Sequence, residues 1–161
     1  MTAEEFWRDF CRETGLPADT PHSAWAFGGA PDALAALTAA GIKTATASAY
    51  DLYALDPAEP LPKVGDLSVI LDSADNAVCV IRTTRLYISP FRDVTAEHAF
   101  KEGEGDRSLA WWREVHRDFF QGELAPYGLT FSEDMRVLCE EFECLYPPAK
   151  EQDCPGEGPE K

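Results

Sequence analysis

The sequence predicts an α+β domain in which helices surround a small curved sheet or barrel. Strand-like segments of mixed spacing are separated by helical segments, no β-α-β rhythm runs through the chain, and no internal repeat occurs. With 161 residues, the chain has the length of one ordinary domain with one sizeable core. We place this domain in residues 1–146.

The N-terminal part is predicted to contain two helices joined by a loop. Residues 3–14 have their apolar side chains at helical spacing, with charged residues on the opposite side. Residues 20–30 are predicted to be a loop. Pro31 suits the first position of a short second helix, which Gly41 can end in a left-handed conformation.

Strands are predicted where β-branched residues cluster. The segment GIKTATAS, residues 41–48, is small, rich in threonine and typical of a strand. Residues 67–71 and 78–87 are predicted to be two strands joined by a turn at residues 73–76. The last strand is predicted over residues 135–145.

Two further helices are predicted before the last strand. Residues 95–101 form a short helix that ends at a glycine-rich segment. Either Asp106 or Ser108 caps the next helix, which we predict to end at Gly122. The apolar residues that recur at helical spacing in it are Leu109, Trp112, Val115 and Phe119.

The strongly acidic composition limits the classes of partner. Twenty-nine acidic and 14 basic residues give a formal net charge of -15. This charge argues against tight, sequence-independent binding of long nucleic acids, whose affinity grows with the number of neutralised phosphates. A small basic pocket remains compatible with it, because the local potential differs from the net charge.

The termini and the cysteines indicate a cytoplasmic protein. The start, MTAEEFWRDFC, lacks the charged and apolar regions of a secretory signal, and no apolar run is long enough to span a bilayer. The five scattered cysteines form no CxxC pair and are typical of reduced thiols. Residues 147–161, with few apolar side chains, are predicted to be a disordered acidic tail.

The familiar cofactor and metal signatures do not occur in the sequence. It contains no GxGxxG, no P-loop and no zinc-deaminase pattern. His98 and His116 lie far apart with no obvious third ligand, and we expect neither a metal nor a cofactor. The acids between two cysteines of the last strand are better explained as its solvated face than as metal ligands. These acids are Glu140, Glu141 and Glu143.

Lys43 stands at the entrance to the threonine-rich segment. Taken alone, it is explained as a solvated lysine just past a helix terminus, where a cation suits the helix dipole. Lys43 and Thr46 are three residues apart, so a regular strand would point them to opposite faces. Both can serve one site only if the backbone turns or bulges there, and Gly41 permits such an irregular entry.

A second candidate group lies in HAFKEGEGD, residues 98–106. Helical spacing places His98 and Glu102 on one face. Glu102 then lies at the helix end, where its carboxylate meets an unfavourable dipole unless a cation compensates. Taken alone, it is explained as a solvated acid before a glycine turn. Asp106 is better explained as a helix cap than as a catalyst.

Taken together, GIKTATAS, the earlier AWAFGG, the block HAFKEGEGDRSLAWWREVHRDFF and the last strand resemble the ASCH domain, the activating-signal-cointegrator homology family. The resemblance covers residues 6–146. Its most specific part is Gly-x-Lys-x-x-Thr followed later by Glu-Gly-Glu-Gly-Asp. Gly29 departs from the pattern, since the family often has Asp after Phe-Gly, and this removes the acidic contact which that loop would supply.

The resemblance implies a PUA-like fold, a small β-barrel with surrounding helices and a cleft suited to RNA or a nucleobase. The family includes RNA-binding modules, bacterial amidohydrolases that remove the acyl group from N4-acetylcytidine, and a longer bacterial relative with single-stranded ribonuclease activity. The Lys, Thr and Glu triad of the amidohydrolases falls on Lys43, Thr46 and Glu102. The residues that we expect to bind substrate are Trp25, Phe27, Thr44, Arg82, Arg107 and Ser108.

Hydrolysis of an N4-acyl amide needs a nucleophile, a proton acceptor and a positive group near the developing oxyanion. If Lys43 and Glu102 touch, we expect a charged Lys43 to stabilise the oxyanion while Glu102 moves protons. Thr46 then attacks or holds the attacking water. If Lys43 is instead buried away from the carboxylate, lysine is the base that activates Thr46.

Three functions follow from this interpretation. The first, which we favour, is a hydrolase acting on a modified cytidine nucleoside, which carries no phosphate for the acidic protein to repel. The second is a ribonuclease for single-stranded RNA, and the third is a non-catalytic RNA-binding module. RNA binding calls for a positive groove with stacking aromatic residues. The chain offers for it Trp25, Tyr87 and Trp111 with Arg82, Arg85, Arg92, Arg107, Arg113 and Arg117, although the same arginines are equally explained as scattered surface charge.

Overall fold

The computed structural model describes residues 1–148 and has an α+β fold in which a five-stranded sheet curls into a half-barrel. The predicted fold class is therefore confirmed. Residues 149–161, most of the predicted tail, lie outside the described residues. The helices and strands are α1 (Ala3–Thr14), β1 (Ser23–Ala26), α2 (Pro31–Ala39), β2 (Ala45–Ala49), β3 (Leu67–Leu71), β4 (Ala77–Pro90), α3 (Ala96–Glu102), α4 (Leu109–Leu124) and β5 (Arg136–Tyr146).

One mixed sheet with the strand order β1-β3-β4-β5-β2 organises the fold. β1 runs parallel to β3, and the other neighbouring strands are antiparallel. The 14-residue strand β4 pairs with both β3 and β5. Its register against β5 shifts between Val80 and Ile81 and between Thr83 and Arg85. Such irregularities bend a strand and increase its twist, which curls the sheet.

The chain enters β2 through a helix end that requires glycine. Gly41 has a φ of 78°, and its N–H donates to Thr38 O at 3.0 Å. The next N–H, of Ile42, donates to Leu37 O at 3.0 Å, which completes a Schellman motif. The predicted left-handed end of α2 is confirmed. Lys43 thus follows a tight reversal and precedes the strand.

The two faces of the sheet bury different side chains, because neighbouring residues of a strand point to opposite sides. On one face, which we call the α4 face, Trp112 of α4 packs in the cluster that contains Cys139 of β5. On the other, which we call the Phe27 face, Phe27 packs in the cluster that contains Phe142 of β5. This division decides which site residues can meet.

Several predicted boundaries were wrong. Residues 20–30 are not all loop, because Ser23–Ala26 forms β1 along the edge of β3. Its sequence, SAWA, contains no β-branched residue, so only the pairing reveals the strand. α4 continues past Gly122 to Leu124, and Val115 is 36% exposed. The buried residues of α4 are Trp112, His116, Phe120 and Leu124.

Candidate active site

Lys43 is buried, with 1% of its surface exposed. The backbone before β2 is held against the end of α3, because Thr44 N–H donates to Lys101 O at 2.7 Å. Ile42 also lies against this end of α3, since a Cβ on Gly103 would come within 2.7 Å of Ile42 O. The explanation of Lys43 as a solvated lysine is therefore wrong. Its side chain enters the protein between α3 and the sheet.

The Lys43 ammonium has three hydrogen-bond partners at short range. Its Nζ donates to Ala45 O at 2.8 Å, to Glu104 Oε2 at 2.7 Å and to Glu102 Oε1 at 3.3 Å. The Phe27 ring centroid lies 5.2 Å from Nζ, which is within range of a cation–π interaction. Two carboxylates therefore share one buried ammonium.

Glu102 is the centre of a buried polar cluster on the α4 face. Its Oε2 lies 2.6 Å from His98 Nε2 and accepts a hydrogen bond from Trp112 Nε1 at 2.8 Å. Its Oε1 lies 3.5 Å from His116 Nε2. The predicted pairing of His98 and Glu102 on one helix face is thus confirmed. The explanation of Glu102 as a solvated acid is wrong, since 1% of its surface is exposed.

The electrostatic environment keeps Glu102 ionised. Burial opposes the negative charge and by itself would raise the pKa of this carboxyl. The Lys43 ammonium and the hydrogen bonds from His116 and His98 outweigh that effect, so the pKa of Glu102 lies well below its ordinary value of 4.5. Glu102 is therefore a permanent counter-ion for Lys43 near neutral pH.

Thr46 lies on the other face of the sheet from Glu102. β2 pairs with β5 in regular register from Ala45 to Ala49, so the irregular backbone lies before the strand, at Gly41, and not within it. Ala47 packs against the α4 face, and its neighbour Thr46 consequently points to the Phe27 face. Lys43 remains close to Thr46, because the Ala45 carbonyl that binds Nζ belongs to the peptide that links Ala45 to Thr46.

The sequence did not point to the acid that faces Thr46. Glu140 is directly opposite Thr46 in the β2–β5 ladder, and directly opposite residues share a face. Glu140 was expected on a solvated face, and this expectation is wrong because the residue is 9% exposed. Its Oε2 accepts a hydrogen bond from Thr83 Oγ1 at 2.7 Å. The sequence did contain a signal for the burial of Glu140. Side chains at even-numbered positions of β5 share one face of the sheet, and on that face Glu140 lies between the apolar Leu138 and Phe142.

The residues expected to bind substrate are spread over several places. Phe27, 6% exposed, adjoins Lys43 and contacts Trp25 edge to face at a centroid distance of 5.0 Å. Thr44 Oγ1 donates to Lys101 O at 3.3 Å. Ser108, not Asp106, caps α4 by accepting the Trp111 N–H. Of these residues that were expected to bind substrate, the structure places Phe27 beside the Lys43 ammonium.

The arginines proposed for a positive groove are engaged within the protein. Arg107 lies over the Phe100 ring at 3.7 Å and donates to Phe100 O, and Arg113 donates to Arg92 O. The others pair with carboxylates: Arg82 with Glu143, Arg85 with Glu141, Arg92 with Asp134 and Arg117 with Glu133. The four arginines paired with carboxylates contribute little net positive potential, so they do not favour a groove for RNA.

A cavity of about 490 Å³ lies at residues 50–61, which follow β2, and its lining does not include Lys43, Thr46, Glu102 or Glu140. Its lining includes Tyr50, Tyr53, Glu59 and Arg136. The Tyr53 hydroxyl lies 2.9 Å from Ser48 Oγ, two residues after Thr46 on the same side of β2. The volume falls in the range of small-molecule sites. Within residues 1–148, no helix is both long and apolar enough to cross a membrane.

Solved structures share this fold. The ASCH domain from Lactobacillus crispatus JV V101 matches over 88% of this chain and 92% of its own, with 29% identity and a TM-score of 0.80. Protein EF3133 from Enterococcus faecalis V583 matches over 88% and 86%, with 38% identity and a TM-score of 0.77. The hypothetical protein PH0355, at 16% identity and a TM-score of 0.54, shares the fold alone. None of the curated proteins compared with the sequence matches it.

The family model for the ASCH domain matches residues 23–146. This range contains Lys43, Thr46 and Glu102, together with the whole of the curled sheet. Sequence and structure therefore agree: the chain belongs to the ASCH domain family and has its PUA-like fold.

Proposed function

We propose that this ASCH domain protein is a hydrolase that removes the acyl group from an N4-acylated cytidine. The observation that carries the proposal is the buried Lys43 ammonium, held by Glu102 and Glu104 one peptide away from Thr46. A buried, fixed cation is suited to stabilising the oxyanion that forms during attack on an amide.

Because Lys43 and Glu102 touch, we keep the charged lysine expected for that case, but we replace the proton transfer expected of Glu102 by a positioning role. Lys43 binds the oxygen of the acyl group, and Thr46 provides the attacking hydroxyl or holds the attacking water. Glu102 positions Lys43 from the α4 face. The Glu104 carboxylate, whose side chain is 15% exposed, lies between Lys43 and solvent and must move for the substrate oxygen to reach Nζ.

The charge distribution supports a nucleoside over an RNA strand. The chain carries a net charge of -15, and the arginines that would line a groove are engaged within the protein. A neutral nucleoside meets no phosphate repulsion here, whereas single-stranded RNA requires a continuous positive surface.

The test compares the two substrate classes with matched lysine variants. N4-acetylcytidine and a labelled single-stranded RNA are incubated separately with the wild type, with Lys43→Met and with Lys101→Met. Lys43→Met keeps the apolar stem of the buried side chain, while Lys101, on the surface of α3, serves as the control. Chromatography measures the release of cytidine and acetate, and circular dichroism confirms that each variant is folded.

We expect wild type and Lys101→Met to release cytidine, and Lys43→Met to be slower by about 100-fold or more, as when an oxyanion donor is removed. RNA cleavage without cytidine release would replace the proposed hydrolase with the ribonuclease. Cytidine release that persists in folded Lys43→Met would show that the reaction occurs elsewhere.

A further inference from the structure

We infer that Glu140 is the catalytic base of this site, accepting a proton from the nucleophile at Thr46 and returning it to the leaving amine. The inference rests on the proposed function and names a carboxyl outside the Lys43, Thr46 and Glu102 triad. It concerns the Phe27 face of the sheet, where Thr46 and Glu140 are cross-strand neighbours.

Glu102 is poorly suited to this proton transfer. It lies on the α4 face, and its two oxygens are already surrounded by Lys43, Trp112 and two histidines. A carboxylate with a strongly lowered pKa is also a weak base. Glu102 therefore acts as a positioning residue for the ammonium.

Glu140 has the geometry that Glu102 lacks. Side chains directly opposite in an antiparallel ladder have Cβ atoms about 4.5–5.5 Å apart, which is within reach of a hydrogen bond from Thr46 or from one water. Thr83 fixes one carboxyl oxygen at 2.7 Å. The other, Oε1, has no hydrogen-bond partner among the described residues and is free to accept a proton.

The surroundings of Glu140 increase its basicity. Burial raises the pKa of this carboxyl above 4.5, the hydrogen bond from Thr83 acts in the opposite direction, and the Asp66 carboxylate adds to the increase. Tyr53 also faces it, and burial together with the charge of Glu140 raises the pKa of that phenol. The β2 and β4 neighbours on this face, Thr46 and Thr83, carry no charge.

The cavity of about 490 Å³ adjoins β2 through Tyr53. Tyr53 lines this cavity, contacts Ser48 of β2 and is close enough to Glu140 to be affected by its charge. The Lys43 ammonium donates to Ala45 O, the carbonyl of the peptide that links Ala45 to Thr46.

In the proposed reaction, the attacking group is a water held by Thr46. Ionised Glu140 takes one proton from the water as its oxygen bonds to the acyl carbon, and the carbonyl electron pair moves to the oxygen beside Lys43. That pair then reforms the carbonyl as the C–N4 bond breaks. N4 leaves with the bonding pair and takes the proton from Glu140. The products are a carboxylic acid and cytidine, and Glu140 is again ionised.

The experiment measures kcat, KM and the pH profile with N4-acetylcytidine for wild type, Glu140→Gln, Glu140→Asp and Glu123→Gln. Glu123 is exposed on α4 and serves as the charge-matched control. We expect Glu140→Gln to lower kcat by about 100- to 10,000-fold with KM nearly unchanged. It should also abolish the acidic limb of the profile, which in wild type reports a group with a pKa above 4.5. Glu140→Asp should retain the limb with reduced kcat.

The outcomes separate this inference from the proposed function. Wild-type turnover that survives in Glu140→Gln, with its acidic limb intact, overturns the role of Glu140 and leaves the hydrolase proposal standing. A wild type without turnover on N4-acetylcytidine overturns both. If Glu140→Gln does not fold, Glu140→Asp decides, because an unchanged kcat in that variant also contradicts the inference.

Discussion

The Lys43 ammonium lies 3.3 Å from Glu102 Oε1, although 59 residues separate the two in the chain. Both side chains are almost fully buried, with exposed fractions of 0% and 1%. Removing charges from water is costly, and their attraction offsets that cost only when geometry and additional hydrogen bonds are favourable. Here the additional bonds come from Ala45, Glu104, His98 and Trp112.

This pair should show strong energetic coupling. We expect Lys43→Met and Glu102→Gln each to lower the free energy of unfolding by about 3–5 kcal/mol, because each leaves an uncompensated buried group. The double variant should lose less than the sum, with a coupling energy of about 1–3 kcal/mol. Urea denaturation measures all four proteins, and additive losses would show that the two charges do not interact.

The lowered pKa of Glu102 predicts a particular dependence of stability on pH. The folded state holds fewer protons on this group than the unfolded state, whose pKa is near 4.5. The stabilisation is therefore complete above pH 4.5 and is lost as the pH falls towards the folded pKa. Accordingly, the stability difference between wild type and Glu102→Gln should shrink on acidification below pH 4.5. A constant difference in denaturation curves from pH 6 to pH 3 would contradict the assignment.

Trp112 should contribute through its indole N–H as well as its packing. Trp112→Phe keeps an aromatic ring but removes the hydrogen bond to Glu102 Oε2 at 2.8 Å. We expect it to cost about 1.5–3 kcal/mol from the charged hydrogen bond, together with the packing of the smaller ring. The neighbouring Trp111→Phe is the control and should cost less. Equal losses in thermal unfolding would indicate that packing alone explains Trp112.

We expect the stability of the fold to require glycine at position 103, where the end of α3 packs against Ile42. Gly103 and Gly15 both have left-handed φ angles, of 74° and 83°. An added Cβ at Gly103 would lie 2.7 Å from Ile42 O, whereas at Gly15 nothing lies within 4 Å. Gly15→Ala should cost about 1–2 kcal/mol for its conformation. Gly103→Ala should cost about 1–3 kcal/mol more, because the backbone must shift.

The shift in Gly103→Ala should also affect the activity that we propose for the candidate site. Gly103 follows Glu102 directly, so moving the end of α3 away from Ile42 separates the Glu102 carboxylate from Lys43. We expect Gly103→Ala to lower kcat for N4-acetylcytidine, and Gly15→Ala to leave it unchanged. Equal kcat values would show that the packing of Gly103 does not position the ion pair.

Much of the architecture follows from local physical chemistry. The capping geometry at Gly41, the strands around the 73–76 turn and the helix of residues 96–102 depend on neighbours within a few positions. β1 could not be recognised in this way, because SAWA has no local strand preference and exists through its pairing with β3. The buried face of α4 also differs from the predicted one, because contacts with distant parts of the chain decide it. His116 is buried beside Glu102, but a histidine does not count as an apolar residue when a sequence is searched for helical periodicity.

The same distinction between local sequence and tertiary contacts applies to the candidate site. The resemblance to the ASCH family pointed to Lys43, Thr46 and Glu102, and the i, i+4 spacing placed His98 beside Glu102. Burial, ion pairing and strand register depend on how distant segments meet. Only the folded chain shows that Lys43 lies between Glu102 and Glu104, or that Thr46 shares a face with Glu140. A change of one residue in register would turn Glu140 to the opposite side, because side chains alternate along a strand.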